Sequence, residues 1–170
     1  YLNIEGFVFF PHSLGFLYTA VTQYLGFSKY GDEYKVMGLG AYGEPTHAEV
    51  FERMVRLGGN IDYSLDLRFF THHRNGVDMT WTEGEPQQGR LFSDRLAGSL
   101  GPSRAPGAEV HQVHKDVAAS LQSRIEDVIL ELLRRLHAET RSDNLCYAGG
   151  VAFNCLANGK ILQSTPFKQV

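Results

Sequence analysis

Between Glu109 and Thr140 the residues Val110, Val113, Val117, Leu121, Ile125, Val128, Leu132 and Leu136 recur at steps of three and four. Such spacing lays one apolar stripe along an α-helix, and Ile129 and Leu133 widen it. Roughly 30 residues at about 1.5 Å each give a rod about 45 Å long. The rest of the chain must pack along that rod. Arg134, Arg135 and His137 stand near its C-terminal end, where positive charge complements the helix dipole. We read this helix as scaffold lying beneath a sheet that includes a strand starting at Leu145.

The elements before it follow from turn residues and periodicity. After Pro11, His12 and Ser13 are capping residues for a helix through LGFLYTAVTQYLGF, with Leu14, Leu17, Tyr18, Val21 and Leu25 at helical spacing and Gly26 as its stop. In SKYGDEYKVMGLGAYGEP, charged Asp32, Glu33 and Lys35 precede Gly38, Gly40 and Gly43, which predicts a helical turn followed by a glycine-rich bend. Thr46 to Leu57 reads as a helix with Val50, Phe51, Met54 and Val55 inward, closed by Gly58 and Gly59. From Ile61 to Trp81 alternation replaces helical spacing, and Asn75-Gly76 predicts the turn between two antiparallel strands. Glu83 to Gly107 reads as loop around a short helix near Leu91 to Leu96.

The segment LCYAGGVAFNCLANGK, Leu145 to Lys160, is a buried apolar run passing through Gly149 and Gly150 into a second helical pattern. Strand, glycine pair and helix together either let a ligand approach the backbone, with a helix start offering unpaired N–H groups to an anion, or serve only as a tight strand-to-helix turn. Asn154 falls one turn into that helix, and Asn158-Gly159 is a left-handed stop. Two better-defined phosphate motifs fail here. A dinucleotide fingerprint needs a third glycine and an acid about 20 residues on, but the glycines stop at Gly150 and no acid follows before Val170. A P-loop ends in Lys and Ser or Thr, whereas Lys160 is followed by Ile161.

Composition narrows the function classes. A 43% apolar and 21% charged chain of 170 residues is globular rather than disordered, with enough length for a core. Its net charge of −3 gives no basic footprint for nucleic acid. Apolar runs fall well short of the roughly 20 residues that span a bilayer, and no charged-then-apolar leader is visible, so a cytoplasmic location is expected. Cys146 and Cys155 are both expected reduced. Tyr1 in place of Met and a strand-like FKQV at the close suggest an excised part of a longer chain.

Among reactive groups, His72 and His73 are adjacent, and His111 and His114 stand one helical turn apart. Neither pair has a Cys or acidic partner spaced to complete a metal site, so solvated histidines are expected and no metal is assigned. Asp32 and Glu33 suit a hydroxyl or a metal-bound water, or else a plain surface acidic turn, and Lys35 suits a phosphate or else solvent. No nucleophile elbow is present.

Four blocks in order, FPHSLGFLYTAVTQYLGF, DEYKVMGLGAYGEP, GPSRAPGAEVHQVHKDVAASLQSRIEDV and LCYAGGVAFNCLANGKIL, closely resemble the O-carbamoyltransferase family of nodulation-factor and antibiotic biosynthesis. The resemblance covers nearly the whole chain and is weakest from Thr71 to Gly101. It implies an α/β fold, part of the two-lobed ATPase architecture of actin, sugar kinases and chaperone ATPases, similar to the enzyme that makes threonylcarbamoyl-adenosine in tRNA. It also implies chemistry in which carbamoyl phosphate and ATP yield a carbamoyl-adenylate, whose carbamoyl group passes to a hydroxyl-bearing small-molecule acceptor.

Carried onto this sequence, the resemblance places Gly149, Gly150, Val151 and Asn154 around the nucleotide, with Asn158 a weaker candidate. Glu33, Lys35, Gly38 and Gly40 become a facing wall near ribose and phosphates. The family's metal-holding histidine pair precedes this region and its aspartate follows it, so a divalent metal and the adenylate-forming domain belong to the rest of the parent chain. This polypeptide alone is therefore expected to bind nucleotide weakly and to lack transfer activity. Other classes consistent with the same residues are an ATP-dependent small-molecule kinase of that fold, which would add charge to its product, and a non-enzymatic assembly module docking through the long helix.

Overall fold

A computed structural model describes residues 3–170. The observed order is α1 Leu14–Tyr24, α2 Glu33–Gly40, α3 Ala48–Met54, β1 Val55–Leu57, β2 Tyr63–Leu65, α4 His72–Asn75, β3 Met79–Thr82, β4 Glu85–Gln88, α5 Asp94–Leu100, α6 Gln112–Thr140, α7 Cys155–Asn158 and α8 Ile161–Ser164. The chain is thus mixed α/β, with two separate antiparallel hairpins, β1–β2 and β3–β4.

Helix α6 is the rod expected from periodicity, and it is the spine of the core. Val117, Leu121, Ile125 and Val128 are fully enclosed, whereas Val113 lies beyond the packed zone and is exposed. Leu17 and Val21 from α1, Val36 from α2, and Phe51 and Met54 from α3 share the buried cluster of α6, with Leu25 just past the end of α1. The expected overlying sheet is absent among the described residues. Helices α2 and α3 occupy the flank of α6 instead, joined to it where the Asp116 carboxylate accepts the Glu44 N–H at 2.9 Å and Ser120 Oγ accepts the His47 N–H at 3.0 Å.

Several expectations are corrected. The glycines of residues 38–40 lie within α2 rather than in a bend. A Cβ added to Gly40 would stand 3.2 Å from the Ala118 carbonyl oxygen, and one on Gly43 only 2.1 Å from that of Lys115. Close backbone packing against α6 explains these two small residues. The helix expected to reach Leu57 ends at Met54, because Val55–Leu57 pairs with Tyr63–Leu65 across the turn that begins at Gly58. Asn75-Gly76 closes the short helix α4, not a hairpin. The second hairpin turns at Glu83 and Gly84, whose φ values of 52° and 83° supply the two left-handed residues of a tight turn.

Residues 145–148 form no strand. Asn144 makes one parallel bridge to Gln169, with the Leu145 N–H donating to the Gln169 carbonyl at 2.9 Å. A strand is stabilised by neighbours on its flanks, and among the described residues this segment has only that one bridge. The single helix expected after the glycines is likewise divided into a 3-10 turn, Gly150–Phe153, then α7 and α8. Gly159 takes right-handed angles, φ −61° and ψ −18°, so Asn158-Gly159 is no left-handed stop.

Candidate functional site

A cleft of about 580 Å³ opens between α1, α2 and the turn after Gly149. Ser13 starts α1 as its N-cap, accepting the Phe16 N–H, and Phe16 and Thr19 face the cleft one turn apart. Strand β2 and α4 pin the approach to this helix. His12 Nδ1 accepts the Leu65 N–H at 3.0 Å, the Tyr63 hydroxyl accepts the Leu14 N–H at 3.2 Å, and His72 Nε2 bonds the Pro11 carbonyl at 2.8 Å. His12 therefore orients backbone, and Ser13 both caps the helix and lines the cleft. His72 is the one expected solvated histidine that is fully buried, seated among Phe10, Phe16 and Phe70.

The start of α2 supplies the opposite wall. Glu33, Tyr34 and Met37 share one helical face and line the cleft with Tyr30 and Gly31. Glu33 Oε1 accepts the Thr19 hydroxyl at 2.5 Å, linking the two walls. Lys35 points elsewhere. Its ammonium pairs with Asp32 at 2.6 Å, a bond that holds the lysine above its ordinary pKa, and it sits near the rings of Phe27 and Tyr34. Gly38 and Gly40 are also outside the lining, Gly40 being committed to its contact with α6.

The third side is the late glycine turn. Gly150, Val151, Phe153 and Asn154 line the cleft. Gly149 adopts φ 113°, a conformation that penalises any side chain, and its Cβ position faces open space. The leading N–H groups of the following 3-10 turn have no partners within it, as at any helix start. Asn154 is buried and its amide is occupied: Oδ1 accepts the Ala157 N–H at 3.0 Å and Gln122 Nε2 at 2.9 Å, while Nδ2 donates to Gln122 Oε1 at 3.0 Å. The early acidic segment and the late glycine turn thus border one hollow, through Glu33 on one side and Gly150, Val151 and Asn154 on the other.

The chemistry of that hollow is specific. Tyr30, Tyr34 and Phe153 stand at its mouth largely exposed, at 61%, 64% and 86%. Among the described residues Glu33 is the one charged residue in its lining, which includes no lysine or arginine. Tyr18 forms part of the floor, with a hydroxyl donating to Gln122 Oε1 at 3.0 Å. Burial, reinforced by the charges of Glu33 and Glu126, holds that phenol far above its ordinary range, so it remains a neutral donor. An aromatic rim with one carboxylate suits a flat ring bearing hydroxyl-rich substituents. Among the described residues no group of three or more His, Cys, Asp or Glu can hold a metal ion, and no helix is long and apolar enough to cross a membrane.

A protein-family profile described as Carbamoyltransferase N-terminus matches residues 1–170. The chain belongs to this carbamoyltransferase family. It is similar to sll1178 of Synechocystis sp., at 38% identity over 96% of this chain and 25% of that protein. Nodulation protein NolNO of Sinorhizobium fredii is 36% identical over 95% of this chain and 21% of its own length. For nodulation protein NolO of Bradyrhizobium diazoefficiens the values are 34%, 98% and 27%. This carbamoyltransferase-family chain therefore spans about a quarter of the length of the curated relatives it matches.

Sequence reasoning missed Thr19, Tyr30 and Tyr34, whose residue types alone single out no chemistry, and the buried amide of Gln122. The last left a readable trace. Gln122 and Glu126 interrupt the apolar face of α6 one turn apart, a place where polar side chains need partners.

Proposed function

We propose that this chain is the nucleotide-seating portion of an O-carbamoyltransferase. The parent protein passes a carbamoyl group to the hydroxyl of a small-molecule acceptor, by way of a carbamoyl-adenylate made from carbamoyl phosphate and ATP. The observation that carries this reading is the single cleft shared by the start of α2 and the turn after Gly149. Family membership supports the carbamoyl chemistry.

The lining assigns parts within the cleft. Its aromatic rim receives the base, and Glu33, already accepting from Thr19, has a second carboxylate oxygen for a ribose hydroxyl. With no cation in the lining, the phosphates lie toward the backbone N–H groups of Gly150 and Val151, beside Gly149. Asn154 acts by holding that turn in shape. Lys35 and Gly40 contribute from behind, Lys35 by fixing the start of α2 through Asp32 and Gly40 by allowing α2 its close seat on α6, whereas Gly38 faces open space and takes no part. A divalent metal is held by residues beyond this chain, where it would neutralise phosphate charge. We place the whole in a cytoplasmic enzyme of the two-lobed ATPase architecture.

Titration of the full-length protein with ATP and with AMP tests the reading. Gly149→Val, which forces a side chain into a left-handed backbone position, and Glu33→Gln should each weaken nucleotide binding at least about tenfold, the value of one charge-assisted hydrogen bond. Unchanged affinity in both variants would remove the cleft from consideration.

A further inference from the structure

The amide of Gln122 lies on the scaffold helix, behind the cleft rather than in its lining, and is buried together with Asn154 and Glu126. All four of its hydrogen-bonding positions are used. Oε1 accepts from the Tyr18 hydroxyl at 3.0 Å and from Asn154 Nδ2 at 3.0 Å. Nε2 donates to Glu126 Oε1 at 2.8 Å and to Asn154 Oδ1 at 2.9 Å. Glu126 is in turn paired with the Lys160 ammonium.

These bonds have a direction. An ionised carboxylate only accepts, so Glu126 with its lysine compels Gln122 to turn Nε2 toward it. That orientation presents one donor and one acceptor to Asn154, whose amide then has a single matching pose. In that pose Asn154 Oδ1 faces the Ala157 N–H and caps α7. Reversing either amide would set donor against donor and acceptor against acceptor in a buried place, where unsatisfied polar groups are most costly.

We infer that Gln122, oriented by the Glu126–Lys160 pair, is the positioning residue for the ligand-facing turn from Gly150 to Asn154. It touches no ligand itself. It acts through Asn154 on the turn's backbone, and through the Tyr18 hydroxyl on the floor of the cleft, so the turn and the floor are referred to one side chain. The inference rests on the proposed nucleotide site for its consequence, while the positioning itself is observable without any ligand.

The test uses the full-length protein, with ATP titration and amide hydrogen exchange read together. In the wild type the Ala157 amide should exchange slowly in the absence of nucleotide. Gln122→Met, which keeps length and removes both hydrogen-bonding ends, should accelerate Ala157 exchange and weaken ATP binding about tenfold. Gln122→Glu, which sets carboxylate against carboxylate, should weaken it further. Adding Glu126→Gln to Gln122→Glu restores a donor–acceptor pair and should recover part of the affinity, a rescue that a general loss of stability would not produce. If these variants fail to fold, rapid exchange of Ala157 in the wild type still overturns the inference. It is also overturned if Gln122→Met folds with Ala157 exchange unchanged and ATP affinity within about twofold of the wild type. Should the wild type bind no ATP, the functional reading fails, and the exchange results decide the positioning role alone.

Discussion

Three glycines of one short segment should respond to alanine in different ways, because their surroundings differ. At Gly43 the added Cβ would fall 2.1 Å from the carbonyl oxygen and 2.2 Å from the carbonyl carbon of Lys115, more than an ångström inside ordinary contact. Both atoms are backbone of α6, so no side chain can swing aside. Relief requires moving the 43–47 segment off α6 and straining the bonds from Glu44 to Asp116 and from His47 to Ser120. We expect Gly43→Ala to cost about 3 kcal/mol or more, the upper end for overpacking. At about 2 to 4 °C per kcal/mol for a domain of this size, that lowers Tm by roughly 6 to 12 °C. Gly40→Ala meets the Ala118 backbone at 3.2 Å and needs a shift of only a few tenths of an ångström. That strain should nearly cancel the gain of about 0.5 to 1 kcal/mol from replacing a helical glycine. Gly38 is exposed, within α2, and a Cβ there meets nothing within 4 Å. Gly38→Ala should therefore stabilise by that same gain, about 0.5 to 1 kcal/mol, and leave nucleotide affinity unaltered. Scanning calorimetry with a parallel ATP titration measures both effects. A neutral Gly43→Ala, or a Gly38→Ala that destabilises or weakens binding, would refute the packing argument and return these glycines to the ligand.

Two further outcomes follow from other parts of the fold. Arg104 is buried, with Nε on the Leu25 carbonyl at 2.6 Å, Nη1 on that of Ala108 at 2.5 Å, and the guanidinium 4.7 Å from the Phe27 ring centre. Arg104→Met leaves both carbonyls unpaired and should cost about 2 to 4 kcal/mol in urea unfolding, and a loss below about 0.5 kcal/mol would contradict it. The Asp116 carboxylate is held below its ordinary range by the Glu44 N–H, then by Gln112. Because the folded value is the lower one, this stabilisation is complete above the ordinary carboxylate range and disappears as pH falls through the folded value. Asp116→Asn should therefore shallow the acid limb of a stability profile and leave its alkaline side unchanged, and an identical acid limb would show that the bond carries no linkage.

The sequence exposed those parts of the fold that depend on local repetition. Helix α6 was legible because its apolar positions recur for eight turns, and α1 because Ser13, an apolar stripe and Gly26 mark its start, face and stop. Where distant backbone decides the outcome, the local signal misled. Gly38 and Gly40 read as a bend because glycine normally breaks helices, yet Gly40 is the residue that lets α2 approach Ala118. Asn75-Gly76 carried the strongest hairpin signal, but the residues before it fold as α4, and the true turn has Glu83 in a left-handed conformation that its residue type does not advertise. The late apolar run had the composition of a strand without partners on both sides. The meeting of Glu33 with Gly150 and Val151 was foreseen from the paired motifs and family likeness. The inward face of α2, with Tyr34 and Met37 rather than Lys35, depends on where α6 holds that helix.

Gly40 rests on α6 at Ala118, and Asn154 is tied to it at Gln122, four residues further along. The gap between the two banks of the cleft is thereby measured out by one turn of a single helix, about 6 Å of rise. A residue inserted between those two positions would twist one bank about 100° relative to the other, whereas the same insertion in the 101–110 loop would merely lengthen a surface connection. The rod is consequently a ruler as well as a support, and a change of length along that one graduation would alter the cleft itself.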